Sequence, residues 1–253
     1  SRGLGDVYKR QKQKESKGMY KNYIFDLYGT LIDIRTDEWS EEPWEEFAAW
    51  LTGNGMPYTG SEVKALYDNE VNRLTSVKTK YTSPEIDIIP VFEAICKKHR
   101  PDITDEEVWK AGEQFRIITT KMIKLYPNTK KVLTGLKNAG KKVYLLSNAQ
   151  RVFTWQELVK TGIVDDFDDI FISSDEGCKK PDPEFYKKLI NKHNLDITEC
   201  IMIGNDSTSD IAGAKAVGMD ALYVRTAISP ENDPVPDCRY VFEDGDIGHV
   251  LDI

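Results

Sequence analysis

Asp26 closes an apolar, β-prone stretch in the run Tyr23-Ile24-Phe25-Asp26-Leu27-Tyr28-Gly29-Thr30-Leu31, with Gly29-Thr30 following as a tight turn. A carboxylate presented this way at the edge of a sheet can attack phosphorus or an activated carbon, forming a covalent intermediate that water later cleaves. Three further polar stations follow in order. Ser147-Asn148 ends the apolar run Val143-Tyr144-Leu145-Leu146, and Lys180 lies in Cys178-Lys179-Lys180-Pro181-Asp182-Pro183. Gly204-Asn205-Asp206-Ser207-Thr208-Ser209-Asp210 follows Ile201-Met202-Ile203. Thr30, Ser147 and Asn148 supply short polar groups and backbone amides that can hold anionic oxygens, which makes them candidate substrate-binding residues. Leu27 faces away from Asp26 in an extended chain, so Tyr28 is expected on the nucleophile's side.

These four stations resemble the four motifs of the haloacid dehalogenase-like hydrolase superfamily, over a span from Lys21 to Val224. The resemblance implies that Asp26 is the nucleophile, that the Ser147 hydroxyl binds the transferring group, and that Lys180 offsets the charge of nucleophile and substrate without transferring a proton. It also implies Mg²⁺, a hard cation suited to oxygen ligands. The ligands would be Asp26, the main-chain carbonyl of Tyr28, Asp206, and Asp210 either directly or from behind. Asn205 stands where the fourth motif often has the first of two acids.

Tyr28 departs from the phosphatase pattern, in which a second Asp two residues after the nucleophile serves as general acid and base. A phenol with a pKa near 10 is a poor base at neutral pH, and such proton transfer typically contributes 10²–10⁴-fold. The first motif is instead similar to that of the 2-haloacid dehalogenases, whose halide leaving group needs no proton. Tyr186, six residues after Lys180, fits the same comparison. Those enzymes need no metal, and they imply a carboxylate-binding arginine, for which Arg35 and Arg73 are candidates. The leading expectation is a Mg²⁺-dependent phosphatase of a small phosphorylated metabolite, working through an aspartyl-phosphate. The alternatives are a metal-independent 2-haloacid dehalogenase and a catalytically impaired protein that only binds its anionic ligand.

The elements that must position these residues alternate in the βαβ manner from Lys130 onward, which predicts a doubly wound parallel sheet with helices on both faces, Rossmann-like in class. Residues 33–125 read as a helical insert. Val63, Leu66, Tyr67, Val71 and Leu74 fall at helical spacing behind a Ser61 cap. A capping box at Thr104 and Glu107 opens a long helix carrying Val108, Ala111, Phe115, Ile118, Met122 and Leu125. The resemblance implies that this insert caps the site, leaving 19–32 and 126–253 as the core. Trp39, Trp44, Trp50 and Tyr58 are candidate pocket aromatics, although tryptophans in a helical unit more often form its core. Tyr240-Val241-Phe242 is expected as an edge strand.

Composition narrows the classes. The chain has 253 residues, 40 % of them hydrophobic, and a formal net charge of −8. That balance argues against phosphate-led nucleic-acid binding. No apolar run approaches the roughly 18 residues that span a bilayer. Cys96, Cys178, Cys200 and Cys238 lack CxxC spacing and read as reduced thiols of a cytoplasmic protein. Residues 1–18, polar and without periodicity, are expected to be a disordered or artefactual tail.

Overall fold

The computed structural model describes residues 18–253, so the expectation for the tail lies, except at Gly18, outside the described residues. Six parallel strands form one sheet: β1 (Asn22–Phe25), β4 (Lys142–Ser147), β5 (Asp169–Ile172), β6 (Cys200–Gly204), β7 (Asp220–Val224) and β8 (Tyr240–Phe242), in the order β5-β4-β1-β6-β7-β8. The central strands are apolar on both faces because both are covered. Tyr23, Phe25, Val143, Leu145, Ile201, Ile203, Leu222 and Val224 point to one core. Ile24, Tyr144, Leu146, Met202, Ala221 and Tyr223 point to the other. Phe25 pairs with Leu145 of β4 and Ile203 of β6. One register therefore brings the carboxyl ends of three strands level, where the chain order reverses about β1.

Between β1 and β4 the chain leaves along β2 (Ile32–Thr36) and returns along β3 (Thr120–Leu125), an antiparallel pair that aligns Ile32 with Leu125. Four helices lie between them: α1 (Glu41–Gly53), α2 (Gly60–Thr75), α3 (Ile89–Lys97) and α4 (Asp105–Thr119). The expected helix through Leu125 therefore stops at Thr119, and Met122 and Leu125 are strand residues. Met122 and Leu125 mimic helical spacing, but the β-branched run Ile117-Ile118-Thr119-Thr120 weakens the helix there. Pairing with β2 then gives the following backbone a partner. The capping box at Thr104 and Glu107 forms as expected, whereas α2 is capped by Thr59 with Glu62 and not by Ser61.

Trp44, Phe47, Tyr58, Phe92 and Phe115 are buried in the core of this insert and Trp50 packs against it, so these aromatics stabilise the helices; Trp44 also lines, with Trp39, a surface cavity between α1 and α2. Trp39 is the exception, 85 % exposed. Val152 and Phe153 of α6 (Arg151–Thr161) complete the same core, so the insert and the sheet's own helix are packed as one unit. The remaining helices are α5 (Thr129–Asn138), α7 (Ser173–Glu176), α8 (Pro183–His193) and α9 (Ala212–Ala216). Among the described residues no helix is long and apolar enough to cross a membrane, and all four cysteines are free thiols.

Candidate active site

Asp26 follows β1 directly, its amide donating to the Ile203 carbonyl at 2.9 Å and so extending the ladder with β6 by one bond. Its Oδ1 accepts from Lys180 Nζ at 2.6 Å, and Oδ2 from the Thr30 hydroxyl at 3.3 Å. Lys180 Nζ also meets Asp210 Oδ1 at 2.7 Å, and the lysine side chain is only 1 % exposed. Burial alone would drive its pKa down, but Asp210 and Asp26 outweigh that and hold it above the ordinary lysine value. It is a fixed cation rather than a proton donor.

The first loop needs Gly29. Its φ of +89° is a left-handed conformation, and a Cβ there would lie 2.2 Å from Asn205 Nδ2. Asn205 thus packs directly on the nucleophile's turn, and its Oδ1 also accepts from Thr30 at 3.3 Å. Gly29 N bonds Ile32 O, and Ile32 N bonds Leu27 O. Neither bond engages the Tyr28 carbonyl.

The fourth station is a π-turn, Ser207–Ile211, leading into α9. Asp206 Oδ1 accepts from Thr208 N (2.7 Å), Thr208 Oγ1 (2.7 Å) and Ser209 N (3.0 Å). Burial raises this acid, yet those hydrogen bonds prevail and hold it below the usual aspartate value. Its Oδ2 carries no such bond. Asp210 is turned inward, with Oδ2 accepting from the amides of Asn205 (3.0 Å) and Asp206 (3.1 Å). Burial, moderated by Lys180, raises the Asp210 carboxyl above its ordinary range. Its Oδ1 faces the Lys180 ammonium and carries no other partner, so this acid pins the lysine through one oxygen and the loop through the other. Tyr186 closes the turn by donating to the carbonyls of Ser209 (3.2 Å) and Asp210 (2.9 Å).

Ser147 is fully buried, and its Oγ has no hydrogen-bond partner in the structure. An unmade bond on a buried hydroxyl is costly, and this hydroxyl has its hydrogen-bonding capacity uncommitted. The Asn148 side chain is already committed, with Nδ2 donating to Lys180 O (2.9 Å) and Oδ1 accepting from Lys180 N (2.8 Å).

Tyr28 faces elsewhere than the nucleophile's ion pairs. Its hydroxyl donates to Glu157 Oε2 and accepts from Thr154 Oγ1 at 2.9 Å, both on α6. Arg116 of α4 lies over its ring and bonds Glu157 Oε1 at 2.7 Å and Glu38 Oε1 at 3.2 Å. Burial, reinforced by Glu157, pushes the phenol well above the ordinary tyrosine value. This cluster of five side chains was not visible to pattern reading. Its one sequence signal is Glu157 among the apolar residues of α6. Arg35 is exposed, and Arg73 pairs with Glu70 at 2.7 Å, so neither meets the site residues.

The haloacid dehalogenase-like hydrolase family matches residues 20–218 of this chain. The protein belongs to that family. A glyceraldehyde 3-phosphate phosphatase of Pyrococcus abyssi is 32 % identical over 209 residues, covering 82 % of each chain. A phosphoglycolate phosphatase of Vibrio cholerae is 27 % identical, covering 92 % of this chain and 96 % of its own. Among solved structures, a 2-haloacid dehalogenase from Pseudomonas syringae superposes with a TM-score of 0.59 at 19 % identity, covering 92 % and 96 %. The last likeness concerns the fold alone.

The oxygen donors suit a divalent cation. Among the described residues no three His, Cys, Asp or Glu side chains cluster closely enough to hold a metal by themselves. Asp26, the open oxygen of Asp206 and the Tyr28 carbonyl are the kind of sparse set that Mg²⁺ accepts, with water and substrate oxygens completing its shell.

Proposed function

We propose that the protein is a phosphatase of small phosphorylated metabolites, with Asp26 as nucleophile. The observation that carries this reading is the buried Lys180 ammonium, shared between Asp26 and Asp210 at 2.6 and 2.7 Å. It neutralises a nucleophile that must approach an anionic phosphoryl group. The Asp26 carboxylate attacks phosphorus, the P–O bond to the leaving group breaks with its electron pair, and an aspartyl-phosphate forms. Water then attacks that phosphorus, returning inorganic phosphate and free Asp26. Ser147, Thr30 and loop amides hold the phosphoryl oxygens, and Asn148 acts by fixing the Lys180 peptide. Asp26, Asp206 and the Tyr28 carbonyl would hold Mg²⁺, which would supply positive charge to the same oxygens. The helical insert serves as the cap of the site, with α4 beside Tyr28.

Tyr28 restricts the leaving group. Its proton is engaged by Glu157, so nothing at this position protonates a departing alkoxide, and the missing help is typically worth 10²–10⁴-fold. Acyl and aryl phosphates, whose leaving groups need little protonation, should therefore turn over faster than alkyl phosphates. Dehalogenation loses support on a different ground. The arginine beside Tyr28 is neutralised by Glu157 and Glu38 and offers no free cation to a substrate carboxylate.

A panel of alkyl, aryl and acyl phosphates with 2-chloropropionate, assayed with Mg²⁺ and with EDTA, tests the proposal. Mg²⁺-dependent phosphate release, lost in Asp26→Asn, is the expected outcome. Chloride release that survives EDTA would replace this reading with the dehalogenase, and no turnover of any compound would leave a binding protein.

A further inference from the structure

Between α2 and α3 the insert sends a strap, residues 82–88, back across the carboxyl edge of the sheet. Asp182 Oδ2 accepts from Thr82 N (2.7 Å), Thr82 Oγ1 (2.9 Å) and Ser83 N (3.2 Å), while its Oδ1 caps α8 through Glu184 N at 2.9 Å. Pro84 and Cys178 form an antiparallel bridge, flanked by Lys179 N to Ser83 O (2.9 Å) and Glu85 N to Gly177 O (3.1 Å). Glu85 Oε2 accepts from Ser173 Oγ at 3.1 Å. Gln150 then holds both ends of the next turn, accepting from Ile88 N and donating to Ile86 O, each at 2.9 Å.

The strap is thus bonded to the loops after β4, β5 and α7, and its densest contacts fall on residues 177–182. Lys180 lies inside that segment. Its own peptide is gripped from the opposite side by Asn148. A flexible lysine loop would let the ammonium wander, and an error of about 1 Å in a reacting geometry can cost 10²-fold.

We propose that the strap is a positioning element for Lys180. The Thr82–Asp182 junction sets the reach of the lysine toward Asp26, and it fastens the insert to the core in addition to the β2 and β3 connections and the packing on α6. Any movement of the insert is consequently coupled to the position of the lysine. This inference rests on the phosphatase reading for its kinetic arm only.

Asp182→Ser tests it, since serine still caps α8 but is too short to hold Thr82 and Ser83. Thr82→Val and Thr82→Ser form a second pair, the first deleting the hydroxyl and the second keeping it. The expected result for Asp182→Ser is a fall in kcat on an aryl phosphate of roughly 10–100-fold with KM changed much less. Amide hydrogen exchange should rise across 177–183 while β4 and β6 keep their protection. Thr82→Val should move both readouts the same way, and Thr82→Ser should restore them. Unchanged kcat, unchanged exchange in 177–183, or equal effects of Val and Ser at position 82 would each overturn the proposal. If the wild type releases no phosphate, the phosphatase reading fails, and hydrogen exchange still decides whether the strap orders the loop.

Discussion

Lys180 Nζ stands 2.6 Å from Asp26 Oδ1, two residues brought together from 154 positions apart and both nearly sealed from solvent. The lysine is the charge on which the site's electrostatics depend, since Asp26 and Asp210 would otherwise face each other without compensation.

Lys180→Met should therefore abolish turnover and also unsettle the fold. Removing one partner of a buried ion pair typically costs about 3–5 kcal/mol, and here two carboxylates lose their partner. Denaturant titration alongside the kinetics checks this. Stability within 1 kcal/mol of wild type, on the order of an exposed pair, would contradict it.

Asp206→Asn keeps the side chain's shape and an oxygen for Thr208 and Ser209. It should preserve the fold yet raise the Mg²⁺ concentration needed for half-maximal activity by at least about 10-fold, the scale of lost metal ligation or support. A titration of activity against Mg²⁺ reads it directly.

Tyr28→Asp should raise turnover of alkyl phosphates by up to ~10²-fold, because an acid then stands two residues after the nucleophile. The gain should shrink for aryl phosphates. A fall on alkyl substrates with the fold intact would count against the phosphatase reading.

Arg116→Met should destabilise the protein by about 3–5 kcal/mol, leaving Glu157 buried without its cation. Arg116→Met with Glu157→Gln should recover part of that loss. A double-mutant cycle of thermal or urea melts yields the coupling.

Asp182 gives a pH signature. Burial raises its pKa, but bonds from Glu184, Ser83 and Thr82 prevail, so the folded value lies below the ordinary unfolded aspartate value. The strap's stabilisation is present above that unfolded value and is lost as pH falls through the lower folded one. Exchange in 177–183, corrected for its intrinsic pH dependence, should therefore accelerate selectively on the acid side of about 4, and Asp182→Ser should remove that step.

Much of the core was legible because its signals are local. Val143–Leu146 and Ile201–Ile203 are short apolar runs, each ending in a polar station. The insert's helices also follow from spacing. Its return strand did not, since Met122 and Leu125 satisfy a helical period and only β2, about 90 residues earlier in the register, selects the extended form. Tyr28 was readable as an anomaly but not as a partner of Glu157 and Arg116, because nothing in sequence links residues separated by 129 and 41 positions. Asp210 reads in sequence as a ligand or as support behind one. Its hydrogen bonds to Asn205 and Asp206 emerge only once the π-turn folds the carboxylate inward.

The shared core between the insert and α6 sets what could be exchanged between this protein and another. Val152 and Phe153 are buried among the insert's aromatics, and Glu157 of the same helix is neutralised by Arg116 from the insert. Grafting another relative's insert onto this sheet would strand a buried carboxylate and two apolar side chains unless α6 travelled with it. The unit that would have to be moved from this chain is thus discontinuous in sequence: the inserted helices together with the helix that follows β4.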